Sequence, residues 1–284
     1  MARGRTNEPP RDRLEAMLAR LQLGCIRDQL DNLLDEAARA NLSGRETLAL
    51  LCEREIARKD HRRIEMAQKL AHFPAVKDLQ DFDFEAQPSL DPRQIRDLAA
   101  SRYIANGENV LLLGPPGVGK THLAIALGRA AILAGYAAQF TTATALVAGL
   151  VKAHASMRLE ERLLALSKPK LLIVDELGYL PLEPQAAHLF FQLVSRRYEK
   201  GAMLITSNRN VGEWGTVFAD PVVATAILDR LLHHSHVLTI RGDSYRLRAK
   251  RKSGLIRPRA GDGPPVGSAS LRPVTGGTNL QPTS

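Results

Sequence analysis

Cysteine and long apolar runs are scarce in this sequence, and each scarcity removes a class of protein. Only Cys25 and Cys52 occur in 284 residues, far apart and without the spacing of a metal site, so we expect free thiols in a reducing compartment. No apolar run reaches the ~18 residues that cross a membrane. The first residues also lack the apolar stretch of a signal peptide. We therefore expect a cytoplasmic protein with no membrane partner.

What the sequence does contain is ordinary for a globular protein, except for the distribution of charge. Hydrophobic residues make up 44% of the chain and charged residues 24%. The length allows one large α/β domain and a smaller one, at roughly 100–200 residues per domain. The net charge is +9, and residues 241–284 contain nine Lys and Arg against two Asp. This basic excess favours an anionic polymer as partner, although basic tails also serve solubility.

A phosphate-binding loop is the most specific motif in the chain. The apolar run from Val110 to Leu113 leads into GPPGVGKT, which fits G-x-x-x-x-G-K-[ST] at every fixed position. The glycines let successive N–H groups point inward, and the following helix adds its positive end, so a polyphosphate can bind there. Lys120 is predicted to reach the β- and γ-phosphates and Thr121 to bind Mg²⁺. The predicted nucleotide-binding residues are Gly114, Pro115, Pro116, Gly117, Val118, Gly119, Lys120, Thr121 and His122.

Two carboxylates after another apolar run supply the chemistry of hydrolysis. The run from Leu171 to Val174 indicates a buried parallel strand, and Asp175 and Glu176 follow it at the edge where open α/β sheets bind ligands. Asp175 is predicted to hold Mg²⁺, and Glu176 to orient and deprotonate the attacking water. A small-molecule kinase would instead need an acceptor site and a closing lid, and no segment clearly supplies either.

The N-terminal part of the chain has a helical pattern. Apolar residues recur at helical spacing from Asp12, with a break near Gly24. Ser43 and Glu46 fit a capping box, which predicts a long helix from there to about His72.

Three arginines of that long helix form a stripe. Arg54, Arg58 and Arg62 follow one another at intervals of four and therefore share one face. Such a stripe could lie along the phosphate backbone of DNA, and an ordinary solvated helix face explains it equally well.

The rest of the chain alternates between strands and helices. A helix is predicted from Asp91 to about Asn106, before the phosphate-loop strand. Further strands are predicted at residues 137–142, 203–206 and 237–240, and further helices at residues 143–152, 185–198 and 221–233. This alternation predicts a parallel sheet covered by helices. The expected domains are a helical DNA- or partner-binding domain (1–72), a linker (73–90), an ATPase domain (91–250) and a basic, disordered tail (251–284).

Six ordered segments carry a family resemblance. They are GPPGVGKTHLA, IVDELGYLP, ITSNR, the EW…F pattern at Glu213, Trp214 and Phe218, ILDRLLHHS and GDSYRLR. Together they resemble the IstB family, AAA+ ATP-binding helpers of insertion-sequence transposases that are related to the DnaC helicase loader. The resemblance covers residues 12–250. It implies an α/β fold class: an AAA+ P-loop NTPase with a parallel sheet covered by helices, preceded by a small all-helical N-terminal domain.

The resemblance also implies roles for residues, cofactors and partners. Asn208 matches the polar sensor that helps Glu176 to position water. Arg230 resembles the arginine finger that reaches the nucleotide of a neighbouring subunit, and Arg246 resembles a second sensor. The implied cofactors are ATP and Mg²⁺. The implied partners are double-stranded DNA, bound largely without sequence specificity, a cognate transposase, and further copies of the chain in an oligomer.

Three other functions stay open. A DnaC-like replicative helicase loader would share the ATPase core and differ in its N-terminal helices. A phosphate-loop kinase would act as a monomer, and a nucleotide-gated scaffold would bind ATP and scarcely hydrolyse it. His233, His234 and His236 suggest a metal cluster, but their spacing and the lack of a companion cluster favour packing or exposure to solvent.

Overall fold

The computed structural model describes residues 10–245 and residue 247, and its N-terminal part is helical as predicted. The first helices are α1 (Pro10–Arg20), α2 (Gly24–Arg39) and α3 (Gly44–Leu70). The capping box is confirmed: the Ser43 hydroxyl accepts the N–H of Glu46, and the Glu46 carboxylate accepts the N–H of Ser43 at 2.8 Å. These bonds satisfy two N–H groups at the start of α3, which fixes where the helix begins.

A buried carboxylate joins α2 to α3. Glu55 of α3 is 5% exposed, and its Oε2 accepts the N–H of Cys25 at 2.7 Å and the N–H of Ile26 at 3.1 Å. These N–H groups belong to the first turn of α2, which has no side-chain cap at its own N-cap residue. Glu55 therefore supplies the missing acceptor and places a carboxylate at the positive end of α2.

The prediction of a single helix from Asp91 to Asn106 is wrong, because two helices occupy that segment. Asp91 caps α4 (Pro92–Ala99). The helix is interrupted at Ser101, and a second helix, α5 (Arg102–Ala105), follows. Ser101 has a φ of 62°, and its hydroxyl donates to the carbonyl of Ala99 at 3.2 Å. A serine hydroxyl bonded to nearby backbone competes with helical hydrogen bonding, and apolar spacing does not reveal this.

Five strands within the described residues form one parallel sheet. They are β1 (Asn109–Leu113), β2 (Ala138–Thr142), β3 (Leu171–Leu177), β4 (Ala202–Ser207) and β5 (Ser235–Thr239), in the order β2-β3-β4-β1-β5. Every neighbouring pair is parallel. All residues of β1 and β4 are buried, as expected for a sheet covered on both faces. The predicted α/β class, a helix-covered parallel sheet after a helical segment, is confirmed.

In the described part of the chain, six further helices cover the sheet. They are α6 (Lys120–Leu133), α7 (Ala143–Ala155), α8 (Leu159–Ser167), α9 (Pro184–Arg197), α10 (Trp214–Val217) and α11 (Pro221–Leu232). Residues of α4, α5 and α6 form the core on one face, and residues of α7 to α11 form the core on the other. Side chains alternate along β1, so Val110 and Leu112 belong to the first core and Leu111 and Leu113 to the second. Sequence reasoning missed α8 and α10, which are too short to show a clear apolar period.

The predicted linker lies against the sheet. Phe82 and Leu90 are buried in the same core as α6. Just before the linker, the carbonyl of Ala71 accepts the N–H of Phe140 on the edge strand β2 at 2.8 Å. The end of α3 and residues 73–90 are therefore fastened to the sheet, while the division into domains stays a prediction.

Two expectations about absent features can be compared with the described part of the chain. No helix there combines the length and the apolar character that a membrane span requires. Cys25 is buried and Cys52 is exposed, and both are free thiols, as predicted.

Candidate functional site

The phosphate-loop motif forms a tight turn between β1 and α6. The φ angle is 149° at Gly114 and 102° at Gly119. A side chain at Gly119 would come within 2.6 Å of the Phe82 ring, and one at Gly114 would collide with the carbonyl of Ile240. Both positions therefore need glycine, for the backbone conformation and for the close approach of neighbouring groups.

Lys120 and Thr121 open α6, where the helix end carries a partial positive charge. The Lys120 ammonium donates to the carbonyls of Gly114 at 2.7 Å and Pro115 at 2.8 Å, so its side chain lies across the loop. The Thr121 hydroxyl donates to Asp175, 3.0 Å from Oδ1 and 3.1 Å from Oδ2. The fold thus brings the two predicted motifs into direct contact.

Thr206, which sequence reasoning did not single out, connects the two carboxylate residues. Its hydroxyl donates to Asp175 Oδ1 at 2.6 Å and accepts the N–H of Glu176 at 2.9 Å. Asp175 is only 4% exposed, so the hydroxyls of Thr206 and Thr121 satisfy a carboxylate that burial would otherwise destabilise. The role of Thr206 follows from the pairing of β4 with β3, which the sequence motif ITSNR does not specify.

Glu176 combines a strained backbone with an exposed side chain. Its φ is 62°, in the left-handed region, and the pairing of β3 with β4 shifts between Val174 and Leu177. Residues other than glycine held in such conformations cost about 1–3 kcal/mol and cluster at functional sites. At this irregularity Asp175 is buried while Glu176 lines a cleft.

The cleft has a volume of about 470 Å³, which is within the range of small-molecule sites. The phosphate loop and the start of α6 form one wall. Glu176, Thr206 and Asn208 form a second. The predicted linker supplies a third wall, which sequence reasoning did not anticipate; its lining residues are Pro74, Ala75, Lys77, Asp81, Phe82, Asp83 and Gln87.

His122 connects the linker wall to α6. Its Nε2 lies 2.9 Å from the carbonyl oxygen of Asp78, and Arg129 of the same helix pairs with the Asp78 carboxylate at 2.8 Å. The His122 ring also meets the Phe82 ring edge-on, with 5.4 Å between centroids. The imidazole of His122 therefore holds the wall in place beside the phosphate loop.

Two amide oxygens in the cleft walls lack hydrogen-bond partners among the described residues. Asn208 directly follows β4, and its Oδ1 is buried with no partner among the described residues. Gln87, in the linker wall, is 2% exposed, and its Oε1 is equally unpaired within the described chain. Buried amides usually have a partner, so both are candidates for contact with a ligand or its water. The sequence pattern pointed to Asn208 and gave no sign of Gln87.

The residues of this cleft fit Mg²⁺ and a nucleoside triphosphate. Magnesium prefers oxygen ligands, and the Thr121 hydroxyl and the Asp175 carboxylate converge there. Lys120 and the N-terminal end of α6 place positive charge beside the same point.

The predicted finger lies away from the cleft-lining residues that the structure describes, and the predicted second sensor is not among the described residues. Arg230 lies on α11, donates from Nη1 to the Ala226 carbonyl at 3.0 Å, and stacks 4.7 Å from the centre of the Phe191 ring. It is absent from the cleft-lining residues that the structure describes. Arg246 and residues 251–284 lie outside the described residues.

Two of the three arginines predicted to contact DNA pair with α2. Arg54 contacts Glu36 at 2.9 Å, and Arg58 contacts Asp28 at 3.0 Å. Hydrogen bonds from Arg27 and Arg58 hold the pKa of Asp28 below its usual value. Arg62 is exposed and forms no ion pair with any residue in the described ranges. Part of the positive stripe is thus neutralised within the helical segment, and its contact with DNA stays a prediction.

Comparisons with known proteins identify relatives whose names refer to ATP binding. Residues 16–253 match the family model of IstB-like ATP binding proteins. The chain is 47% identical over 243 residues to the insertion sequence IS21 putative ATP-binding protein of Pseudomonas aeruginosa, which covers 86% of this chain and 92% of that protein. It is 46% identical over 241 residues to the insertion sequence IS5376 putative ATP-binding protein of Geobacillus stearothermophilus. That alignment covers 85% of this chain and 96% of the relative.

Solved structures give more distant similarities. The DnaC helicase loader matches with a TM-score of 0.46 and 21% identity, over 52% of this chain and 87% of that chain. AMPPCP-bound DnaA from Aquifex aeolicus matches with a TM-score of 0.48 and 20% identity, over 66% of this chain and 59% of that chain.

Proposed function

The chain belongs to the family of IstB-like ATP-binding proteins, and from this premise we propose that it is a Mg²⁺-dependent ATPase that assembles on DNA and helps a transposase to act. The family and the parallel sheet together give the AAA+ fold class that the sequence predicted. One observation carries the catalytic part of the proposal: the continuous hydrogen-bond chain through Thr121, Asp175, Thr206 and Glu176.

Each residue of this hydrogen-bond network has its own role. Mg²⁺, when bound, neutralises charge on the phosphates, and the Thr121 hydroxyl and the Asp175 carboxylate would hold it. Thr206 orients the Asp175 carboxylate and fixes the backbone of Glu176. The exposed Glu176 carboxylate then takes a proton from the attacking water as general base. The Asn208 amide oxygen accepts a hydrogen bond from the same water and orients it.

Lys120 is proposed to change partners when a nucleotide binds. It now donates to two neutral loop carbonyls, those of Gly114 and Pro115. Phosphate oxygens are charged acceptors and form stronger hydrogen bonds with an ammonium group. Lys120 therefore turns from the loop to the β- and γ-phosphates, so ATP binding depends on it directly.

The names of the relatives support the partner side of the proposal. Both relatives described above are insertion sequence proteins, which favours a transposase over a replicative helicase as partner. The net charge of +9 and the exposed Arg62 support non-specific contact with the phosphates of double-stranded DNA. The proposed assembly is an oligomer in which Arg230 of one subunit reaches the nucleotide of the next. Arg230 is not among the described residues that line the cleft of its own subunit.

Two substitutions test the catalytic assignments. Lys120→Ala is expected to abolish ATP binding, whereas Glu176→Gln should keep ATP bound and lower turnover by ~10²–10⁴, because the base acts only when water attacks. A fluorescent ATP analogue measures binding, and phosphate release measures turnover. Equal loss of ATP affinity in both variants would contradict the assignments.

The same assay separates the alternative functions. An ATPase releases phosphate in the presence of DNA without any small acceptor, whereas a kinase requires that acceptor. ATP binding without phosphate release, with DNA present and protein assembled, would favour the nucleotide-gated scaffold.

A further inference from the structure

A cluster of side chains that could hold a metal ion lies at the edge of the sheet opposite the cleft. His233 and His234 form the turn between α11 and β5, and Glu199 lies in the turn between α9 and β4. One possible ligand atom from each residue lies within 4.8 Å of the other two. Because all strands of the sheet are parallel, β4 and β5 begin at the same edge, and residues distant in sequence meet there.

We propose that Glu199, His233 and His234 form a binding site for a transition-metal ion of the Zn²⁺ class. Two imidazoles and one carboxylate are a recurrent zinc ligand set, which leaves a position open for water or a further ligand. His234 Nε2 and Glu199 Oε1 are 3.9 Å apart. Ligands at ~2.0–2.2 Å from a tetrahedral zinc lie roughly 3.4 Å from each other, so small side-chain rotations complete the site. All three side chains are exposed, so an ion can enter from solvent.

A tyrosine hydroxyl gives one of the histidines an outer partner. Tyr198 Oη lies 2.8 Å from His233 Nδ1. When Nδ1 is protonated and donates to Tyr198, the lone pair of His233 is on Nε2, where a metal can accept it. Hydrogen bonds of this kind orient metal-bound histidines and fix their tautomer.

The third histidine of the segment is engaged elsewhere. His236 Nε2 lies 2.8 Å from a carboxylate oxygen of Glu108. Hydrogen bonds from Asn106 and His236 hold the pKa of Glu108 below its usual value. The proposed site therefore excludes His236 and takes only His233 and His234 from this segment. Its third ligand is Glu199, more than thirty residues earlier in the sequence.

A metal at this point would join α9 to α11. The same two helices hold Arg230, whose guanidinium on α11 stacks over Phe191 of α9. An ion that binds the folded protein and not the unfolded chain stabilises the fold, so Zn²⁺ is expected to raise the thermal midpoint.

Titration with Co²⁺ tests the site, because its visible absorption reports coordination by histidine. Tag-free full-length protein, without nucleotide and with excess Mg²⁺, is expected to bind one Co²⁺ per chain, and Zn²⁺ should displace it. His233→Ala and His234→Ala should each weaken binding at least tenfold, and Tyr198→Phe about tenfold through loss of the outer partner. His236→Ala is the matched control and should leave the affinity unchanged.

Several outcomes would overturn the proposal. They are the absence of stoichiometric Co²⁺ and Zn²⁺ binding by the wild-type protein, unchanged affinity in His233→Ala and His234→Ala, or an equal loss in His236→Ala. Glu199→Gln guards against misfolded alanine variants, since it keeps the shape of the side chain and removes the charge. Circular dichroism then checks that each variant is folded, and a folded Glu199→Gln protein with wild-type affinity would also contradict the site.

Discussion

At the scale of single residues, one hydroxyl holds the candidate catalytic groups together. Thr206 donates to Asp175 and accepts from the backbone of Glu176, so it fixes the buried carboxylate and the strained residue beside it. Strain of this kind persists only where surrounding contacts enforce it. The position of the proposed general base thus depends on a side chain that takes no part in proton transfer.

The substitution Thr206→Val should lower turnover more than ATP affinity. Valine keeps the size of threonine and leaves the Glu176 N–H without its acceptor, at about 1–3 kcal/mol. Asp175 Oδ1 loses one of its two donors and keeps the Thr121 hydroxyl. Phosphate release should fall at least tenfold while binding of a fluorescent ATP analogue is retained. Thr206→Ser, which restores the hydroxyl, is the matched control and should recover most of the turnover. A Thr206→Val protein with wild-type turnover would show that this bond is dispensable.

At the scale of elements, helix α3 serves two purposes. Glu55 and Arg58 face α2 and hold it, through the N–H groups of Cys25 and Ile26 and through Asp28. Further along, α3 packs by Ile64 and Ala67 against the core beneath the sheet. The arginine stripe is therefore partly a structural surface, and Arg62 is its one member without an ion-pair partner among the described residues.

Removal of the Glu55 carboxylate should lower the stability of the helical segment. Glu55→Ala leaves the N–H groups of Cys25 and Ile26 without an acceptor, which is expected to cost about 2–4 kcal/mol of the free energy of unfolding. Chemical denaturation followed by circular dichroism measures the loss. Glu53→Ala, at an exposed position on the same helix, should change the stability little. Equal destabilisation by both substitutions would argue against the capping role of Glu55.

DNA binding is best tested at Arg62, because substitution of Arg54 or Arg58 also breaks an ion pair with α2. Arg62→Ala should weaken binding to double-stranded DNA of any sequence and lower the salt dependence by about one counterion. Fluorescence anisotropy at several salt concentrations measures both quantities. Arg45→Ala, on the same helix but off the stripe, is the control.

The basic tail is the competing contact. If truncation after residue 250 abolishes DNA binding and Arg62→Ala has no effect, the tail binds the DNA and the stripe is a solvated helix face.

At the scale of the whole molecule, the proposed finger lies away from the cleft of its own subunit. Residues of the phosphate loop, Glu176 and Asn208 line the cleft, but Arg230 stacks on Phe191 and is not among the lining residues that the structure describes. A cation supplied by a neighbouring subunit would stabilise charge on the transferring phosphoryl group. Such fingers contribute ~10³–10⁵ in rate in well-studied GTPases.

Arg230→Ala is therefore expected to bind ATP and to lose hydrolysis. A mixture of Arg230→Ala with Lys120→Ala should regain some phosphate release, because an intact loop on one subunit then meets an intact Arg230 on the next. The control mixes Arg230→Ala with the double variant Lys120→Ala/Arg230→Ala, which supplies intact loops without any intact finger and should stay inactive. If proteins that demonstrably co-assemble regain nothing, Arg230 is not a finger acting between subunits.

The sequence by itself determined the parts of this protein that depend on local rules. The phosphate loop was readable because a tight turn requires glycine at fixed places, and the start of α3 because Ser43 and Glu46 cap each other. Buried parallel strands were readable as short apolar runs, and the carboxyl end of such a strand placed Asp175 and Glu176 at a ligand site.

The tertiary structure alone decided what depends on neighbours distant in sequence. Thr206 reaches Asp175 because β4 pairs with β3, and Gln87 lines the cleft because the linker folds back onto α6. Glu199 meets His233 because parallel strands begin at a common edge. In the sequence, Arg54 and Arg58 have the pattern of a free positive stripe. In the structure, carboxylates of α2 pair with both of them. The spacing of residues along a helix shows which of them lie on the same face. Only the tertiary packing determines which residues that face contacts.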